Sequence, residues 1–195
     1  MITLASKSAS RAAILQGAGV VFATVSPGVD EAAVKAGLLA DKATPREVAD
    51  ALAELKAVKV SHSREGLVIG ADQTLELDGV LYDKAESLDE ARSRLTDLRG
   101  RRHRLHAAVV VANDGVPIWR EVDTTTLTMR PFSDAFLDAY LARNADAALS
   151  SVGCYQLEGE GAQLFERVDG DYFSVLGLPL FGLLDLLRRH GELAV

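Results

Sequence analysis

The chain has 195 residues, 48% of them hydrophobic and 25% charged, with a formal net charge of −7. That length can bury a real core in one sizeable domain or two small lobes, and the acidic balance argues against general affinity for nucleic acid or anionic membrane, which need a dominant basic face. A single cysteine, Cys154, excludes an intrachain disulfide and a multi-cysteine zinc site.

Met1 to Leu4 reads as a first strand, with neither the basic region of a signal peptide nor an apolar stretch long enough for a membrane span. Cytoplasm is the expected compartment. Ala5 to Ser10 is a small, hydroxyl-rich link into a helix from Arg11 that ends near Gly17 or Gly19. Ser6, Ser8 or Ser10 would cap it. Free amides at that helix start, beside Lys7 and Arg11, suit an anion, although a plain Ser cap reads the same way. Val20 to Val25 is predicted as a second strand, followed by Asp30 and Glu31, either solvated acids or metal ligands. Thr44-Pro45-Arg46-Glu47 is a capping box with Pro at the first helical position. The helix it opens carries Val48, Ala51, Leu52, Leu55 and Val58 as its apolar face, with Lys56 on another face as a solvated lysine.

Leu67-Val68-Ile69 is a continuous apolar run, as expected of a strand covered on both faces. Gly70 permits a turn or a close approach, and Asp72 is placed where the chain leaves the core. Such strand ends gather ligands in open α/β sheets. Asp72 is therefore either a base or metal ligand, or a turn cap. Asp78-Gly79 and Asn113-Asp114-Gly115 are hairpin signals, and Lys84 lies one hairpin beyond Asp72. Ser87 opens a helix carrying Leu88, Ala91, Leu95 and Leu98, stopped by Gly100.

The basic run from Arg99 to His106 contains no aromatic residue for base stacking, so it is read as a helix-to-strand turn. His103 and His106 have no metal-site partners nearby in sequence. Strands are predicted over Leu105 to Ala112, Ile118 to Arg130 and Gln163 to Val168, with a helix capped by Ser133 between the last two. Ser150 to Gly161 is a Gly-rich polar link in which Cys154 reads as a small buried thiol. A last helix follows Leu178-Pro179 and ends at Gly191. There are no internal repeats and no linker. Walker, Rossmann, nucleophile-elbow and His-rich metal motifs are absent.

Eight short motifs together resemble the Maf family of Maf/ITPase-like nucleotide pyrophosphatases, over nearly the whole chain. Leu4 to Arg11 resembles the opening LASxSPRR, Val29-Asp30-Glu31 the DE element and Ala53 to Ala57 the AxxKA element. Val68 to Thr74 matches VIGAD followed by T or Q, Lys84 the KP lysine, and Leu98 to His103 LxGxxH. Gly153 to Gly159 resembles AGxYxIQG and Val175 to Leu180 matches VxGLPL.

The resemblance implies a single domain over residues 1–195: a mixed, twisted α/β sheet flanked by helices, in two lobes around a central cleft. It also implies hydrolysis of a nucleoside triphosphate to the monophosphate and pyrophosphate, dependent on a divalent cation (Mg2+ or Mn2+). On that reading Asp72 is the proton acceptor, Glu31 and Asp72 hold the metal, and Ser6, Arg11, Lys56 and Lys84 bind the triphosphate. The first arginine of the family's Pro-Arg-Arg is missing, since Ala9-Ser10-Arg11 stands there. Gln73 and Glu158 replace the Thr and Gln of dTTP/UTP members and resemble the branch acting on 7-methyl-GTP; Ser10, Gln73 and Glu158 are the expected specificity positions. The family further suggests a homodimer and an alternative role as a nucleotide-sensing regulator of cell division. Neither nucleic acid nor membrane is expected as a partner.

Overall fold

The computed structural model describes residues 1–194. Seven strands form one mixed sheet in the order β2-β1-β3-β5-β6-β7, with β4 paired to β3. β1 (Ile2–Ala5) lies parallel to both β2 (Phe22–Thr24) and β3 (Leu67–Leu77). β3, β4 (Val80–Tyr82), β5 (Arg102–Asn113), β6 (Val116–Met129) and β7 (Phe165–Asp169) pair antiparallel. Eight α-helices flank the sheet among the described residues, joined by a 3-10 helix at Glu160–Leu164. Both hairpins turn through the Asp-Gly pairs read from sequence. Asp78 and Gly79 have φ of 51° and 81°, and Asp114 and Gly115 of 48° and 79°, the double positive φ that fits strand twist.

Two apolar clusters give the molecule two lobes. One gathers β1, α1 (Ala9–Gly17), the first half of β3 and α8 (Phe181–Arg189) around Leu4, Leu15, Ile69 and Leu183. The other gathers the far half of β3 with α4 (Leu88–Leu98), α5 (Asp134–Arg143) and α6 (Ala145–Ser150) around Leu75, Leu95, Leu137 and Tyr140. The long strands β3, β5 and β6 run through both, which ties the lobes together without a linker.

Sequence expectation and fold diverge at the central strand. β3 does not end near Asp72 but continues to Leu77, with Asp72 at its middle. The opening is instead on its edge. On that edge β1 pairs only as far as Gly70, and β4 takes over only at Leu75. Residues 71–74 therefore lack a strand neighbour on one side, while β5 pairs them on the other. Nor does Gly70 turn the chain: a Cβ there would lie 2.2 Å from the Ala53 carbonyl oxygen and 2.5 Å from the Ala57 amide nitrogen. It seats α3 (Pro45–Ser61) against the sheet, with the small side chains Ala49, Ala53 and Ala57 facing Ala108, Val110 and Ala112 of β5.

That seating rotates the buried face of α3 relative to expectation. The buried positions are Pro45, Val48, Ala49, Leu52, Ala53, Lys56, Ala57, Val60 and Ser61, and Lys56 is among them instead of being solvated. A further helix, α2 (Glu31–Ala40), was not anticipated. The basic run also differs: β5 begins at Arg102, so its second half lies within a strand. β2 is shorter than predicted, β7 starts at Phe165, and Leu88 of α4 is exposed.

His103 sits in the second lobe, only 2% exposed, with Nε2 2.7 Å from the Tyr155 hydroxyl and Nδ1 without a partner among the described residues. Burial pushes its pKa down to about 4. The unfolded chain takes up this proton near pH 6.5 and the folded chain does not, so the stability it contributes is complete above pH 6.5 and is lost as pH falls towards 4. By pH 5 the loss amounts to about 2 kcal/mol from this residue. Thermal melts from pH 7.5 to 5 are expected to show this slope, and His103→Gln to flatten it; an equal slope in the variant would exclude His103 as its source.

Candidate functional site

Where β1 stops, its chain crosses the open edge of β3 and begins α1. Ser6 is buried at that crossing, and its Oγ accepts from the Ser8 amide at 3.2 Å and from Arg11 Nη1 at 3.3 Å. Ser8 is the N-cap, its side chain accepting from the Arg11 amide. Arg11 is then fixed across the chain, with Nε donating to the Gly177 carbonyl at 2.8 Å. Gly177 has a φ of 99°, a conformation that favours glycine.

The gap in the β3 edge opens onto a cleft of about 990 Å³. Its lining brings together Ser6, Ser10, Arg11, Glu31, Lys56, Asp72, Gln73, Lys84 and Glu158, whereas Asp30 stays outside it as the cap of α2. Side chains alternate along β3, so Asp72 points to the α3 face, as does Thr74, whose hydroxyl donates to the Pro45 carbonyl. The close seating of α3 brings Lys56 Nζ to 2.7 Å from Asp72 Oδ1. The same ammonium lies 2.9 Å from Glu31 Oε1, at the first residue of α2. Two carboxylates from different elements thus converge on one positive charge.

The second oxygen of each carboxylate takes no hydrogen bond from another side chain or amide among the described residues. No group of three or more His, Cys, Asp or Glu suited to a metal occurs among those residues. A pair with two free oxygens fits magnesium or manganese, which complete their shell with water and substrate phosphate oxygens.

Positive charge lines the same cleft. Lys84 is held below its ordinary pKa by partial loss of water and then by the Arg11 guanidinium, against the pull of Glu31 and Asp72. Arg11 is likewise lowered by burial and raised by Asp72 and Glu31. A guanidinium close enough to depress a neighbouring ammonium makes the pair a natural holder of an anion.

The expected specificity residues separate in space. Gln73 donates its amide to the Ser174 and Val175 carbonyls, both at 2.9 Å, so only its Oε1 is free. It braces the segment that carries Gly177. Ser10 and Glu158 line the cleft and also an adjoining apolar pocket of about 400 Å³ with Ile14, Phe173, Leu176 and Leu180. Glu158 is exposed at that lip. The histidines of the basic run lie elsewhere: His106 bridges Glu76 and Thr124 at 2.8 and 2.9 Å. Cys154 is buried. Lys35 of α2 also lines the cleft, and no motif in the sequence marks it.

No helix among the described residues is long and apolar enough to cross a membrane. The family model described as Maf-like protein matches residues 1–190. A nucleoside triphosphate pyrophosphatase of Caulobacter vibrioides is 66% identical over 194 residues, covering 100% of this chain and 98% of that one. One from Hyphomonas neptunium is 51% identical, covering 96% of this chain and 94% of its own. A 7-methyl-GTP pyrophosphatase of Brucella abortus is 49% identical, covering 97% and 96%.

Proposed function

The chain belongs to the Maf family, and on that premise we propose that it hydrolyses a nucleoside triphosphate between the α- and β-phosphates, releasing the monophosphate and pyrophosphate. The observation that carries this reading is the convergence of Asp72 and Glu31 on Lys56 Nζ, in a cleft that Arg11 and Lys84 also line. Lys56 holds Asp72 by Oδ1, which fixes the carboxylate and leaves Oδ2 to take a proton from water. Arg11 and Lys84 bind the phosphates and offset the charge that gathers on the departing pyrophosphate. Ser6 keeps Arg11 aimed. Glu31 and Asp72 would hold a divalent cation, and when bound it would supply Lewis-acid polarisation of the phosphate.

The base lies at the Ser10–Glu158 end, beside the apolar pocket. A carboxylate there accepts from a guanine-type base, whose N1–H and amino group both donate. This favours a purine of the kind in 7-methyl-GTP over dTTP and UTP. The test is a turnover panel of NTPs, dNTPs and 7-methyl-GTP with magnesium, quantifying pyrophosphate apart from orthophosphate. Pyrophosphate is the expected product. Glu158→Gln is expected to reduce the guanine preference about tenfold, the worth of a charge-assisted hydrogen bond partly open to water. Equal turnover of dTTP and UTP by the wild type would count against the Glu158 role.

A further inference from the structure

Among the described residues, α2 is the one α-helix with no buried residue. It packs near α3 with Val34 and Leu38 only half-buried, and charges tie its cleft side to the molecule. Glu31 reaches Lys56, and Lys35 reaches Asp83 across the cleft mouth. Backbone positions of positive φ flank it, Gly28 at 58° and Lys42 at 63°, and Lys59 grips the Gly28 carbonyl. Ala32, Ala36 and Leu39, spaced along one side of the helix, line the cleft. An element with few apolar contacts sits at the low end of local stability and moves readily.

The two ends of the Lys35–Asp83 contact differ. The Lys35 side chain is 19% exposed and faces the cleft, whereas Asp83 is 60% exposed. Asp83 immediately precedes Lys84, and Arg94 donates to its backbone carbonyl, which fixes it on the opposite wall. A solvent-facing carboxylate is a weak partner for an ammonium. A polyphosphate offers several charged oxygens to the same donor and is the stronger one.

We propose that Lys35 is a further ligand of the triphosphate, held on Asp83 in the free protein and transferred to the phosphates when substrate enters, drawing α2 over the cleft. The proposal rests on the reading of this cleft as a triphosphate site. It differs from a plain structural clamp in sign: a clamp makes both partners equally useful, whereas here Asp83 competes with substrate for Lys35.

The experiment compares Lys35→Ala, Lys35→Arg and Asp83→Asn with wild type. It measures KM and kcat for an NTP with magnesium, and calorimetric binding of inorganic tripolyphosphate. Lys35→Ala is expected to raise KM and weaken tripolyphosphate about tenfold, the size of one charge-assisted contact. Lys35→Arg restores most of this, and Asp83→Asn lowers KM. Wild-type values in Lys35→Ala, or Asp83→Asn weakening binding as Lys35→Ala does, would overturn the proposal. A wild type that releases no pyrophosphate from any NTP would instead sink the activity on which it rests.

Discussion

Asp72→Asn is expected to lower pyrophosphate release by about 100- to 10,000-fold, the range that a positioned general base contributes. The substitution keeps the shape of the side chain and an oxygen for Lys56, which also retains Glu31. It removes the basicity needed to take a proton from water, and one of the two charges available to a cation. The loss therefore falls on kcat. Nucleotide binding is retained or tightened, because a negative charge facing the triphosphate is gone. Pyrophosphate quantification beside a titration of bound nucleotide separates these effects. Near-normal turnover in Asp72→Asn would remove this residue from the chemistry, and with it the role assigned to the open edge of β3.

Asp72 also shows where sequence reasoning succeeds and where it stops. The run Leu67-Val68-Ile69 marked a buried strand, and the acid after it marked a candidate base. The setting of that acid was not legible, because it depends on two distant strands. β1 stops opposite Gly70 and β4 begins opposite Leu75, and no local pattern states either register. Lys56 was misplaced for a different reason. Its helix buries the alanines 49, 53 and 57, which carry little hydrophobic signal, while the larger Leu55 and Val58 are only half-buried. α2 was within reach of sequence. Asp30 caps it by accepting from the Ala33 amide, and Glu31 occupies its first turn. Paired acids at this spacing read equally as ligands or surface charge, which hides their local role at a helix start. Seven of the eight scattered motifs, each weak by itself, converge on one cleft because the fold brings the end of β1, the edge of β3 and the 150–158 segment together, while Leu98 to His103 lies in the second lobe away from it.

Lys56→Met tests the centre of the site from the other side. Methionine keeps much of the volume but leaves Asp72, 8% exposed, without its cation. Removing one partner of a buried pair costs about 3–5 kcal/mol. Glu31 is 44% exposed and turns to water, so the cost falls mainly on Asp72 and should lie near the lower bound. For a chain of this length about 3 kcal/mol corresponds to a fall of about 6–12 °C in melting temperature. Turnover is expected to fall with it, since Asp72 loses its anchor. The Lys56→Met/Asp72→Asn double variant distinguishes the two causes. An orphaned carboxylate is the source of the instability only if Lys56→Met costs much less when Asp72 is already neutral. In that case the double variant melts above Lys56→Met while remaining inactive. If Lys56→Met costs the same on both backgrounds, the pairing with Asp72 is not what stabilises the fold, and it serves catalysis alone.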